Sequence, residues 1–221
     1  MIEVEQIRTG IHSSALPSMI EVEQLKTSDY QETSWSGGRT TQLYLFPTQS
    51  SYGERNFQFR LSTASMDTEQ STFTSLPSYH RILLSLDKTI VLQDMNSGEQ
   101  VTLAPYHIHR FEGEQSIKCL GKAQDFNIIF DDSVQADLQV MDENNWVVEC
   151  GDDFQFIYAL VDLDFHIEGW GSGYLAAKEL LVVETKELPP RSLHLTACQA
   201  CQKPKALIAK LRSTDLGRNM I

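Results

Sequence analysis

Basic residues are scarce in this chain. Lys and Arg number 18 against 30 Asp and Glu, a net charge of −12 over 221 residues. Phosphate backbones require a basic surface, so nucleic acid is excluded as a partner, and so is docking on anionic membranes. Long hydrophobic runs are absent too. Nothing approaches the roughly 18 apolar residues of a membrane span, and the start, MIEVEQIRTG, has acids where a signal peptide has an apolar run. The four cysteines, Cys119, Cys150, Cys198 and Cys201, show no framework spacing, so the expectation is a cytoplasmic protein with reduced thiols. No phosphate-binding loop is present, because Gly37-Gly38 has the wrong spacing and no helical pattern after it. The first 150 residues contain no long amphipathic helix.

What the chain does have is β periodicity and enough apolar residues, 41%, to fill a core. Residues 57–64 alternate strictly, with Phe57, Phe59, Leu61 and Thr63 on one face and Gln58, Arg60, Ser62 and Ala64 on the other. A polar loop and the segment Phe73 to Arg81 follow, then an apolar strand over 82–86. Further strands are predicted over 43–46, 89–92, 101–104, 117–120, 125–130, 154–163, 180–183, 193–197 and 206–211. Residues 174–181 read as a short helix or strand. Short segments with turn signals about every ten residues indicate an all-β sandwich or barrel. The acidic stretch 131–145 marks a junction, giving domains 19–135 and 136–221. Residues 1–10 recur almost unchanged at 19–28. The extension 1–18 is therefore a duplicated start, or a second strand covering a sheet edge.

The pieces Trp35…Gly37-Gly38…Thr40…Gln42, Phe59-Arg60-Leu61-Ser62…Ala64, Phe73…Leu76-Pro77…Arg81, Phe111-Glu112-Gly113-Glu114 and Gly121…Asp125-Phe126-Asn127 together resemble the HutD/Ves family. Ser36, Gln42 and Ser78 depart from its usual residues; Gln42 stands where the family commonly has an acid. The resemblance implies a bicupin, two consecutive cupin-like barrels, with the family motifs in the first. It also implies a binding or regulatory role linked to histidine utilisation, with N-formylglutamate as a suggested ligand, or a link to stress responses. It attaches no firm catalytic activity.

The main candidate site is an anion pocket in the first barrel. Arg60 and Arg81 offer forked donors for a carboxylate. Ser62, Thr40, Gln42 and Asn127 add neutral donors, Trp35, Phe73 and Phe111 exclude water, and Asp125 orients an arginine or an amine. The two strands also deliver His80 to the same neighbourhood, so it is counted among the ligand-binding residues of the pocket wall. The competing account makes Arg60 and Asp125 a structural ion pair. The expectation is thus a non-catalytic protein for a small acidic metabolite, without cofactor, with a homodimer among the assemblies open to it. The alternatives are a metal-dependent or acid/base cupin enzyme, with His80 or His107 as the base, and a structural interaction module. A metal alternative uses His107 and His109 on one strand face with Glu114, holding Zn or Fe. Cys198-x-x-Cys201 lacks a second pair and reads as a loop with free thiols. Gly171-Ser172-Gly173 is not a nucleophile elbow, since Trp170 precedes it.

Overall fold

Alternating and fully apolar segments, punctuated by turns, become nineteen strands among the residues described by the computed structural model, 20–151, 153–185, 190–199 and 204–214. The extension 1–18 and Cys201 lie outside them. The strands are β1 (Ile20–Leu25), β2 (Gln31–Trp35), β3 (Gly38–Phe46), β4 (Phe59–Met66), β5 (Gln70–Thr72), β6 (Tyr79–Ser85), β7 (Ile90–Asp94), β8 (Gln100–Leu103), β9 (His109–Glu112) and β10 (Ile117–Leu120). The series continues with β11 (Gln124–Asp131), β12 (Val134–Met141), β13 (Asn145–Cys150), β14 (Phe154–Ala159), β15 (Leu163–Ile167), β16 (Gly171–Leu175), β17 (Leu180–Thr185), β18 (Arg191–Ala197) and β19 (Ala206–Ser213). The one helical turn described is a short 3₁₀ segment, Thr27–Asp29. No helix among the described residues is long and apolar enough to cross a membrane.

Four sheets form two barrels. The front barrel joins a six-stranded sheet, β2-β3-β4-β11-β6-β9, to a four-stranded one, β5-β10-β7-β8. The rear barrel joins a five-stranded sheet, β1-β17-β14-β19-β12, to the sheet β13-β18-β15-β16. The two larger sheets face each other. Period-two alternation sends Phe59, Leu61, Ile82, Leu84, Phe126 and Ile128 outward from the front barrel. There they meet Phe154, Phe156, Tyr158, Val182 and Leu207 of the rear one. The rear barrel is filled by Ile157, Leu163, Phe165, Leu181, Leu193 and Ile208, among others. The front barrel instead has two apolar clusters, one around Leu83, Leu92 and Phe111, the other around Leu45, Phe57 and Tyr79.

The structure departs from the sequence expectations in several places. Phe57 precedes β4 and packs inside the front barrel with Tyr79, ring centroids 4.6 Å apart, rather than sharing the outward face of Phe59 and Leu61. The apolar run 154–163 divides into β14 and the start of β15, because the chain turns at 160–162. The acidic junction contains β12. Its Val134, Leu138 and Val140 pack on the shared core while Gln135, Asp137 and Gln139 face away; acidity obscured a plain alternation. β1 lies not with the front half but beside β17, with Ile20 opposite Thr185 and Leu25 opposite Leu180. Residues 174–181 are the end of β16, a turn and the start of β17.

The shared core makes the barrels interdependent. The Phe156 ring, 1% exposed, contacts Tyr44 and Phe59 of the front barrel at 5.0 and 5.8 Å between centroids. Phe156→Ala is therefore expected to cost about 3–5 kcal/mol, with both barrels unfolding in one shifted transition when urea unfolding is followed by fluorescence and circular dichroism.

Candidate functional site: a buried arginine layer in the front barrel

Register places the site. Arg60 on β4 and Arg81 on β6 both stand opposite Ile129 of the intervening β11. Two inter-strand spacings therefore separate their backbones, about 10 Å, and both side chains point into the barrel. The next inward row holds Gln42, Ser62, Asn127 and Leu83, and the row after that Thr40, Ala64, Asp125 and Ser85. This polar layer lies between the two apolar clusters. Arg60, Arg81, Asp125 and Asn127 are 7%, 3%, 2% and 7% exposed.

The contacts within the layer are few and specific. Arg60 Nε donates to Gln42 Oε1 at 2.9 Å, and its guanidinium lies 4.3 Å from the Tyr52 ring centroid. An Arg81 terminal nitrogen donates to the Thr74 carbonyl, while its guanidinium faces Phe73 and Phe111 at 5.5 and 5.8 Å. Burial pulls both guanidinium pKa values down, and Arg60 adds repulsion at Arg81. Asp125 Oδ1 accepts the Ala64 N–H at 3.1 Å. Among the described residues no ion pair within 4 Å joins Asp125 to either arginine, so the structural pair of Arg60 and Asp125 does not form. Burial lifts the Asp125 carboxyl to about 7, against the Ala64 hydrogen bond and the Arg81 charge. Arg81 Nε, Asn127 Oδ1 and Ser65 Oγ are buried with no hydrogen-bond partner.

Of the residues expected at the site, Arg60, Ser62, Arg81, Asp125, Asn127, Gln42 and Thr40 share the inner face, with Phe73 and Phe111 beside Arg81. Trp35 does not join them. It is 37% exposed at the end of the edge strand β2, and its ring covers Gly37, where a Cβ would stand 1.9 Å from it. A Cβ on Gly38 would meet the Ser65 carbonyl at 1.7 Å, so the double glycine serves a tight hairpin. His80 is turned away as well, because neighbours on a strand face opposite sides. It lies in an open cleft of about 940 Å³ between the barrels, lined also by Arg110, Phe130, Asp137 and Lys210. There Nδ1 meets Glu112 at 2.7 Å and Nε2 meets Asp132 at 2.8 Å.

The metal alternative is not assembled. β9 begins at His109, so His107 is exposed in the preceding turn, and Glu114 is exposed in the turn after β9. His109 stacks on Phe111 at 5.7 Å. No group of three metal-ligating side chains occurs among the described residues. The Gly113 motif serves packing: its N–H donates to the Tyr79 carbonyl at 2.6 Å, and its carbonyl accepts the Leu76 N–H at 2.7 Å. This pins the loop whose Thr74 carbonyl holds Arg81. Sequence reasoning missed Tyr52 and Thr74; the only signal for Tyr52 is a lone aromatic in the polar loop 47–56.

Two titrations carry the same sign. His80 is held above the usual imidazole value by its bond to Asp132, with Glu112 adding charge, against partial burial. Its stabilisation is complete below about pH 6.5 and is lost as pH rises through the folded pKa. Asp125 is neutral inside the protein up to about pH 7 while the unfolded chain ionises near 3.8, so stability falls as pH rises between those values. Urea unfolding across a pH series should show wild type losing stability relative to Asp125→Asn between about pH 4 and 7, then running parallel to it. Relative to His80→Gln, wild type should lose stability above about pH 6.5.

Comparison with known proteins agrees with this architecture. A conserved protein of unknown function from Pseudomonas aeruginosa PAO1 superposes with a TM-score of 0.75 at 24% identity, covering 87% of this chain and 100% of that one. HutD from Pseudomonas fluorescens SBW25, solved in a formate condition, superposes with a TM-score of 0.70 at 21% identity, covering 88% and 100%. A bacterial pirin from Escherichia coli, in complex with nickel(II), does so at 0.59 and 9%, covering 88% and 100%. These likenesses show the fold. No curated protein matches the chain by sequence. The HutD family model matches residues 27–203, well over half of the 221, and the chain therefore belongs to the HutD family, on a cupin-like two-barrel fold.

Proposed function

We propose that this protein is a non-catalytic binding protein that senses or sequesters a small acidic metabolite inside its front barrel. The observation that carries this reading is the surplus of buried positive charge: two guanidiniums, each more than nine-tenths buried, share an interior with one carboxyl that neither touches. An uncompensated charge in a dry interior is costly. An anion between the two forks would offset it, and a bidentate carboxylate suits their geometry. The unpartnered Arg81 Nε and Asn127 Oδ1 add hydrogen-bonding capacity for such a ligand. Family membership supports N-formylglutamate, an intermediate of histidine utilisation, as the first acid to try. The rear barrel, filled with apolar side chains, acts as a scaffold.

A panel of small carboxylic acids that includes formate and N-formylglutamate is expected to raise the melting temperature. Stabilisation should reach about 2.7 kcal/mol at a hundred times Kd. Arg60→Met and Arg81→Met should abolish the rise, while Arg110→Ala, in the outer cleft, should leave it intact. A panel that produces no shift in the wild-type protein overturns the proposal.

A further inference from the structure

The charge of the polar layer at neutral pH follows from the groups that face it. β4 contributes Arg60, β6 contributes Arg81 and Tyr79, β11 contributes Asp125, and the loop before β4 contributes Tyr52. His109 on β9 and Cys119 on β10 lie beyond, among apolar neighbours. Burial keeps the His109 imidazole neutral by lowering its pKa, pushes the Cys119 thiol up to about 12, and raises the Tyr79 phenol. Three groups therefore set the charge: two guanidiniums and one carboxyl. With the carboxyl ionised the layer carries one positive charge; with it protonated, two.

In a water-poor interior, binding is strongest when ligand and layer sum to zero charge. We propose that the layer is a charge-matched receptor, which accepts a singly charged acid with Asp125 ionised and a doubly charged acid only together with one proton, taken from solvent onto Asp125. This rests on the reading that the layer receives an anion. Asp125 Oδ1 is engaged by the Ala64 N–H, leaving Oδ2 to carry the proton. The position of the carboxyl, lifted to about 7, places that exchange near neutrality. The predicted consequence is a site whose preference between monoanions and dianions shifts with pH, with acidification favouring the dianion.

Propionate and malonate, equal in carbon number and different in charge, separate the cases. Titration calorimetry in buffers of different ionisation enthalpy counts the protons taken up on binding. Between pH 7.5 and 9, malonate binding should take up about one proton and weaken about tenfold per pH unit. Propionate should take up almost none, and its affinity should stay level. In Asp125→Asn, whose fold is checked by near-UV circular dichroism, malonate should lose both its proton uptake and its pH slope. If that variant does not fold, the proton counts in the wild-type protein decide. Malonate binding without proton uptake, or with a slope that survives in a folded Asp125→Asn, overturns charge matching while leaving anion binding intact. Failure of every acid to bind overturns the underlying reading instead.

Discussion

A sheet covered on both faces governs this molecule. The front barrel's six-stranded sheet turns one set of alternate side chains toward the rear barrel and the other set into its own interior. The outward set includes Phe59 and Leu61 of β4, Ile82 and Leu84 of β6, and Phe126, Ile128 and Phe130 of β11, and these dock on the aromatic face of β14. That leaves the inward set free to be polar at mid-height, because the outward face supplies the burial that holds the strands together. Arg60, Arg81, Asp125 and Asn127 are thus carried by strands whose apolar burial comes largely from the opposite face.

The motif glycines Gly37, Gly38 and Gly113 belong to this framework rather than to the site. Gly37 and Gly38 let β2 and β3 close under the Trp35 ring and beside the Ser65 carbonyl. Gly113 lies where a side chain would collide with the Leu76 and Tyr79 carbonyls. That contact fixes the loop bearing Phe73 and Thr74, which hold the Arg81 fork from one side. Tyr52 covers Arg60 and reaches Arg81 as well, joining the two cations through one ring. The layer is closed by parts distant in sequence, each with a structural reason to be there.

His80 illustrates the opposite case, a residue next to a site residue in sequence and across the sheet from it in space. Its imidazole bridges Glu112 and Asp132, tying β9 to the turn between β11 and β12. Arg110 adds a second tie through Asp137 at 2.8 Å. The cleft's charges are thus largely paired with one another, whereas those of the inner layer are not, and this difference makes the inner layer the stronger candidate for a ligand.

The sequence by itself determined the strand-rich class, the inner placement of Arg60, Ser62, Asp125 and Asn127, and family membership, because alternation and ordered motifs are local and survive without tertiary context. The grouping of His80 with Arg81 is overturned, because adjacent strand residues face opposite sides and His80 lies in the outer cleft. Tertiary structure decided the rest. The pairing of β1 with β17, the entry of Tyr52 and the exclusion of Trp35 depend on contacts between residues far apart in the chain, which no local period records. Charge was the other misleading signal: in β12 Asp137 faces away from the core with Gln135 and Gln139, and acids flank the strand on both sides, so a strand with a buried apolar face looked like a linker. Whether two arginines on separate strands meet in one interior, short of a partner, is a question of register across three strands, and only the folded sheet answers it.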